Sequence, residues 1–455
     1  MVRKTGDIIN HSEEDAISRD KPQWLRRRLD WFMNLRFGMI IHWAPYAQWD
    51  CIESWGLVPA DTWARKEEFR CWVERGRDME RFTRDYRALN TTFNPTRFDP
   101  DAWAELAVNA GMKYIAFTTK HHDGFCMFDT RTTDYRVTHP SCPFHSHPRA
   151  NIAKEVFSSF RRRGLAISCY FSKSDWHCPW YWAPGFPVTD RNPNYDTSEH
   201  PDIWEKFVRF VHAQVEELMT GYGPIDVLWL DGGQVRPPDQ DIRMAELASM
   251  ARKHQPGLII ADRTVGGEYE DFITPEQVIP EKPLSVPWES CITLGDYWKF
   301  FPNDRYKSAA NVIHMLVETC CKGGNLLLGI GPDAEGLIPS EAASRLLEIG
   351  KWLKLNGESI YGSRPLSPFS MGNVRFTSRD KHAYAIVLNN SGKAPLPAEM
   401  EIRGIEPQPG SEVTLLSDGQ PVVWEKTPNG FAVLTRDRFR EDQPAWVLKF
   451  RVSGN

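Results

Sequence analysis

The sequence predicts an α/β protein: a (β/α)8-like (TIM) barrel followed by a small antiparallel β-sandwich domain. Three observations carry that expectation. From about residue 30 to 360, short apolar runs alternate with amphipathic segments, the mark of repeated βα units and a parallel sheet. Four of those runs stop abruptly in polar or aromatic side chains, as barrel strands do where they deliver groups to a site at their C-terminal ends. Beyond about Ser363 the runs become short and β-rich, separated by Asn-Asn-Ser-Gly, Pro-Gly-Ser and Pro-Asn-Gly turns. The expected division is 1–362 for the barrel and 363–455 for the sandwich.

The four runs are Phe37 to Ile41 before His42-Trp43, Tyr114 to Thr119 before Lys120-His121-His122-Asp123-Gly124-Phe125, Leu165 to Cys169 before Tyr170, and Ile225 to Leu230 before Asp231. Leu258 to Arg263 and Asn325 to Ile330 read as further strands. A helix opens at Asp99-Pro100, where the Asp side chain can cap free N–H groups and Pro suits the first turn; Trp103, Leu106, Ala107 and Ala110 then share one face. Other helices fall near 151–163, 200–220, 240–254, 308–321 and 340–355, and the charged stretch from Val58 to Arg87 reads as an inserted helical excursion. The C-terminal strands are Ala383 to Leu388, Glu412 to Leu416, Phe431 to Thr435 and Ala445 to Phe450. A doubly wound open sheet is the alternative architecture, but it would carry a glycine-rich turn after its first strand, and Ile41-His42-Trp43-Ala44-Pro45 is not one.

A chain of 455 residues exceeds what one hydrophobic core usually organises, in keeping with two domains. Its net charge of -5 and scattered Lys and Arg exclude the clustered basic surface of a nucleic-acid binder. No apolar run approaches the roughly 18 residues that span a bilayer, and Met1 to Ser18 lacks the apolar core of a secretory signal, so no membrane partner is expected. The chain reads as cytoplasmic, or as periplasmic or secreted if a leader has been removed. A homo-oligomer is left open. Nine cysteines, an odd number without framework spacing, read as buried free thiols.

Asp231 ends an apolar strand and precedes Gly232-Gly233, which let a ligand approach the backbone; a carboxylate there suits a nucleophile or base, or a plain loop cap. For a second carboxyl, Glu289 sits between Trp288 and Ser290-Cys291-Ile292, an apolar setting that raises a carboxyl pKa and keeps it protonated as an acid. Glu276, in Thr274-Pro275-Glu276, is the alternate. His121 and His122 suit hydroxyl recognition; a metal would need further ligands, and Cys142, His145 and His147 lie in a Pro-rich loop with no strand before it, so no metal is expected. Trp43, Tyr170, Trp229 and Trp298 could wall a sugar pocket or simply fill the core, and Arg263 could hold a hydroxyl, orient a nucleophile or pair with Asp262.

Together these residues resemble glycoside hydrolase family 29, the retaining α-L-fucosidases. The resemblance spans nearly the whole chain, through Phe37 to Trp43, Phe93 to Trp103, Ala110 to Tyr114, Lys120 to Phe125, Leu228 to Asp231, Trp288-Glu289 and Gly323 to Leu328. It implies a barrel with a C-terminal β-sandwich, Asp231 as nucleophile, and His42, Glu53, Trp55, His121, His122, Tyr170, Trp229, Arg263 and Trp298 around fucose. The acid/base stands in some members where Glu276 does and in others where Trp288-Glu289 does; the local sequence favours Glu289. Tyr297-Trp298-Lys299 and Glu53-Ser54-Trp55 depart from the family's usual Trp-Gly-Tyr and Glu-Trp-Tyr, so linkage preference is not inherited.

The resemblance implies hydrolysis of terminal α-L-fucosyl residues of glycans or glycoconjugates with net retention and no cofactor. Two rivals remain at this stage: a non-catalytic carbohydrate-binding protein, and a metal-dependent barrel hydrolase built on His121, His122 and the Cys142 to His147 loop.

Overall fold

The structure, a computed structural model, describes residues 12–390, 398–435, 439 and 443–452. The Asn389 to Gly392 turn and the N-terminal stretch lie partly outside the described residues. The chain opens with α1 (Gln23–Met33), which leads into β1 (Phe37–Ile41). The charged excursion forms short 3-10 turns, α2 (Arg70–Val73) and α3 (Met79–Arg87). Regular βα alternation follows: α4 (Pro100–Asn109), β2 (Tyr114–Lys120), α5 (Ile152–Arg162), β3 (Ala166–Ser172), α6 (Pro201–Gly221), β4 (Val227–Asp231), α7 (Met244–His254) and β5 (Ile259–Asp262). It ends with β6 (Glu289–Thr293), α8 (Ala309–Cys321), β7 (Asn325–Ile330) and α9 (Ser340–Asn356).

The caps that the sequence suggests form. Asp99 accepts from the backbone N–H groups of Asp101 and Ala102, with Pro100 in the first turn of α4, and Trp103 and Ala107 are buried while Leu106 is partly so. Asn151 and Ser308 cap α5 and α8 in the same way.

The barrel strands form one parallel sheet in the order β5-β4-β3-β2-β1-β7-β6. Between its two edges, β5 and β6, the wall is closed by an irregular segment rather than an eighth strand. Residues 269–277 bond to β5 through Asp271 N to Ile260 O (2.8 Å), and to β6 through Cys291 N to Pro275 O (3.0 Å) and Gln277 N to Cys291 O (2.9 Å). Isolated bridges Ala261↔Glu270, Ile273↔Trp288 and Glu276↔Cys291 mark its path. Prolines at 275, 280, 283 and 287 remove ladder donors here, which is why the sequence shows no strand signal.

Inward-facing Ile40, Tyr114, Ala116, Tyr170, Trp229, Ala261, Cys291 and Leu327 form the interior cluster, and α1 joins it with Leu25, Leu29, Phe32 and Met33 at the end where the strands begin. The outer faces of the strands pack on the helices in a second, larger cluster. All nine cysteines are buried free thiols.

Antiparallel strands follow the barrel: β8 (Arg364–Met371), β9 (Val374–Arg379), β10 (His382–Leu388), β11 (Glu399–Arg403), β12 (Thr414–Leu415), β13 (Gln420–Pro421), β14 (Trp424–Thr427), β15 (Gly430–Leu434) and β16 (Ala445–Arg451). They form two sheets, β13-β12-β16-β10-β9-β8 and β11-β15-β14, with Phe376, Ile402, Phe431, Trp446 and Phe450 in the core between them. By alternation, Tyr384, Ile386 and Val447 on the opposite face join the barrel's cluster, and Trp352 Nε1 of α9 donates to Ala445 O at 3.0 Å.

Gly350 lets α9 lie directly on the end of α4, because a Cβ there would run into the carbonyl of Asn109. Gly350→Ala gains helix propensity but must push two helices apart, so it should destabilise the chain by about 2 kcal/mol. Urea denaturation giving an unchanged or raised midpoint would contradict this packing.

Candidate active site

The strand ends converge as the sequence suggests, around a cavity of about 640 Å³ at the C-terminal ends of the barrel strands. His42 follows β1, His121 and His122 follow β2, Asp231 ends β4 and Arg263 follows β5; all five line the cavity, together with Glu53, Trp55, Trp229, Glu276 and Trp298.

Asp231 accepts the Tyr170 hydroxyl at 2.6 Å, the Gly232 N–H at 2.8 Å and Arg263 Nη1 at 3.0 Å, and His122 Nε2 lies 3.7 Å away. Burial pushes its pKa up, but the Arg263 guanidinium, His122 and the Tyr170 and Gly232 hydrogen bonds outweigh this and hold it well below the usual carboxylate range. Asp231 is therefore an ionised, oriented carboxylate. Gly233 keeps the following loop against the end of β5: a Cβ there would collide with the Thr264 hydroxyl.

Arg263 joins two of the acids that line the cavity. Its Nη1 holds Asp231, its Nη2 holds Glu276, and its Nε donates to Thr274 Oγ1 at 3.2 Å. Glu276 also accepts from Trp298 Nε1 at 3.2 Å. One guanidinium thus bridges the two carboxyl groups across the cavity.

Three imidazoles cover the wall. Burial drives the pKa of His42 down to about 3 and that of His122 to about 4, and places His121 well below its ordinary value, so all three are neutral near pH 7. Hydroxyls fix two of them: Ser54 Oγ lies 2.6 Å from His121 Nδ1, and Ser172 and Ser174 lie 2.6 and 2.9 Å from His122 Nδ1. Neutral imidazoles offer both a donor and an acceptor, which suits sugar hydroxyls. Trp298 lies 5.1 Å from the His42 ring and Trp55 lies 5.0 Å from that of His122, so aromatic faces alternate with these polar tips. Glu53 is buried, its carboxyl pushed up to about 7 by burial against the opposing pull of Lys299, whose backbone N–H it accepts at 3.1 Å.

Three expected site residues do not line the cavity. Trp43 points into the outer core, packed on Phe93, Phe98 and Trp103 with Nε1 donating to Asp333 O at 2.8 Å; adjacent residues alternate, so His42 facing in turns Trp43 out. Tyr170 stands behind Asp231 and acts on it through its hydroxyl. Glu289 is the first residue of β6, at the end of the barrel remote from the cavity, where its carboxyl accepts the Tyr114 hydroxyl at 2.5 Å and Trp229 Nε1 at 3.2 Å. Its apolar setting does raise its pKa, to about 7 by burial, but beneath the site rather than in it.

The Cys142 to His147 loop holds no metal geometry. His145 Nδ1 bonds to Cys142 O and His147 stacks on Phe144, and among the described residues no cluster of three or more His, Cys, Asp or Glu is placed to hold a metal. Sequence reasoning missed Trp63, Lys66, Arg191, Asn192, Gln234 and Arg236, which line the cavity from loops. Arg191 and Asn192 lie between residues 173 and 200, a stretch without helix or strand, and that length was the available signal.

A barrel with a carboxylate pair, neutral histidines and aromatic walls at its strand ends defines a glycosidase class. A family model described as alpha-L-fucosidase matches residues 9–358, and the chain belongs to the α-L-fucosidase family of glycoside hydrolases. It is 27% identical over 462 residues to an α-L-fucosidase of Dictyostelium discoideum, covering 93% of this chain and 92% of that one. Human tissue α-L-fucosidase is 28% identical over 433 residues, with 88% and 83% covered. Among solved structures the chain is similar to α-L-fucosidase isoenzyme 1 from Paenibacillus thiaminolyticus (TM-score 0.75, 32% identity, 95% and 100% covered). It is also similar to Thermotoga maritima α-fucosidase in complex with fucose (TM-score 0.73, 25% identity, 95% and 100% covered). No helix of the described residues is long and apolar enough to cross a membrane.

The position of Glu289 makes a stability prediction. Its pKa is higher folded than unfolded, so it costs stability as pH rises from 4.5 to about 7, and the full cost persists above that. Gln mimics the protonated form and cannot ionise. Glu289→Gln should therefore be more stable than wild type at pH 8, by ~3 kcal/mol at most, with the gap closing at acid pH. Urea titrations at both pH values check this, and a gap that is absent or widens towards acid would contradict it.

Proposed function

We propose that the protein is a retaining exo-α-L-fucosidase acting on terminal α-L-fucosyl residues of glycans or glycoconjugates, with Asp231 as nucleophile and Glu276, rather than Glu289, as acid/base. The observation that carries this reading is the Arg263 guanidinium gripping Asp231 and Glu276 together in the cavity. The fucose complex of the Thermotoga relative supports the choice of sugar.

In the first step Asp231 attacks the anomeric carbon as the glycosidic C–O bond breaks, and Glu276 gives its proton to the departing oxygen. The Arg263–Glu276 contact must open for this, the leaving oxygen taking the place of Nη2 beside the carboxyl. In the second step water attacks the same carbon and gives a proton to Glu276, and the ester bond to Asp231 breaks, releasing fucose with its original configuration. The Tyr170 hydroxyl and Gly232 N–H keep Asp231 aimed throughout. The neutral histidines bind hydroxyls without setting a positive charge against the cationic character that develops at the anomeric carbon. Fucose carries a methyl group where related sugars have a hydroxymethyl, and the aromatic wall suits that methyl.

Release of 4-nitrophenol from 4-nitrophenyl α-L-fucoside tests the roles. Asp231→Asn should lower kcat by about 10⁴-fold, and Glu276→Gln by about 10²–10⁴-fold. Azide should restore turnover to Glu276→Gln, giving fucosyl azide of retained configuration, while Glu289→Gln should stay within about tenfold of wild type and gain nothing from azide. Rescue of Glu289→Gln instead would reverse the acid/base assignment, and turnover unaffected by Asp231→Asn would end the retaining mechanism. Activity lost in excess chelator would favour the metal-dependent rival.

A further inference from the structure

Trp63 is the one exposed aromatic side chain among the described residues, 41% exposed, and it lines the active-site cavity. What sets it apart is its place in the cavity wall, where an indole offers a ligand a flat apolar face and keeps its polar edge for a partner. This one is held in place. Its Nε1 donates to Asp61 Oδ1 at 3.1 Å, and Asp61 is buried and gripped by Arg191 through two bonds of 2.7 Å. Arg191 in turn lies 4.5 Å over the ring of Trp55, and Trp55 lies 5.9 Å from Trp63 and 5.0 Å from His122, which stands beside Asp231. The wall that borders the nucleophile therefore continues outward, ring by ring, to an exposed indole whose edge is pinned and whose orientation is set before any ligand arrives.

On the reading given above, fucose occupies the inner cavity and the group it is cut from extends towards the mouth. We infer that Trp63 is the platform on which the sugar ring attached to fucose stacks, making it a specificity-determining residue for fucosides whose aglycone is a pyranose. The apolar C–H face of such a ring suits an indole plane, while Lys66, Asn192 and Gln234, which line the same cavity, offer hydrogen bonds to its hydroxyls. The aglycone contributes through binding, not through the chemistry of the anomeric carbon.

The test compares two kinds of substrate in wild type, Trp63→Ala and Trp63→Phe. α-L-Fucosyl fluoride has a one-atom leaving group that reaches no part of the mouth. A panel of fucosyl disaccharides, with fucose α-linked 1,2 to galactose or 1,3, 1,4 and 1,6 to N-acetylglucosamine, supplies pyranose aglycones. For the disaccharide that wild type cleaves fastest, Trp63→Ala should lose about tenfold in kcat/KM, mostly through KM, and Trp63→Phe should recover most of that loss. On the fluoride all three should agree within about twofold. Equal losses on both substrates would mean a structural role and overturn the platform. A disaccharide rate that Trp63→Ala leaves unchanged would overturn it too, as would wild type that cleaves the fluoride but no disaccharide. Failure of wild type to hydrolyse the fluoride would instead strike at the fucosidase reading itself.

Discussion

The site depends on one buried guanidinium. Arg263 is enclosed among protein groups and would be costly there alone, and so would Asp231; each makes the other tolerable, and removing Arg263 would leave Asp231 without its cationic partner. The barrel makes the pairing possible because β4 and β5 are neighbours in register, with Leu230 opposite Asp262, so the residues that follow them, Asp231 and Arg263, emerge side by side. The same guanidinium then reaches across the gap in the sheet to Glu276, tying the segment that closes the wall to the strand that carries Asp231.

Beside that centre the histidines carry no charge. The imidazoles are neutral because burial strips them of water, and nearby Arg263 adds to the cost of protonating His42 and His122. Charge that the fold needs is placed behind the wall in closed pairs: Lys120 with Asp175 at 3.1 Å and Lys173 with Asp262, all four side chains nearly inaccessible. Lys120 shows how a conspicuous sequence run divides its labour. It precedes His121-His122 yet turns outward to Asp175 and Gln214, while Asp123 accepts the Tyr86 hydroxyl of α3 at 2.8 Å; only the two histidines meet the cavity. Lys120 and Asp123 anchor the loop that presents them.

How much was legible in the sequence follows from this division. Six of the seven barrel strands were readable because parallel strands buried on both faces are continuous apolar runs, and their abrupt polar ends marked Asp231, Arg263 and the histidines. β6 was not, because Glu289-Ser290-Cys291-Ile292-Thr293 lacks such a run and follows a proline-rich segment. That miss produced the other. With β6 unseen, Glu289 read as an acid in an apolar setting near the substrate, whereas as the first residue of a strand it lies beneath the cavity floor, with its carboxyl on Trp229 Nε1. The local argument was physically sound, since burial does raise its pKa, but an acid can be buried beneath a site as well as within it. Only the position along the strand separates the two cases. Trp43 failed for a related reason: aromatic character is readable from sequence, but the side of the sheet it occupies depends on where alternation restarts after the strand.

The contrast between Asp231 and Glu276 has a structural logic. Asp231 ends a regular strand whose register is locked on both sides, so a one-residue slip would turn it out of the cavity and disturb the packing of Trp229 and Leu230 with it. Glu276 rides on an irregular segment attached to β6 by a few bridges and shaped by prolines, where residues can be gained or lost without disturbing a neighbour's register. What Glu276 must satisfy is therefore spatial, reach to Arg263 and into the cavity, rather than a fixed distance along the chain from Asp231. An acid whose sequence position drifts while a strand-end carboxylate's stays fixed is what such a barrel allows, and it is why Asp231 could be read from a strand end while Glu276 needed the fold.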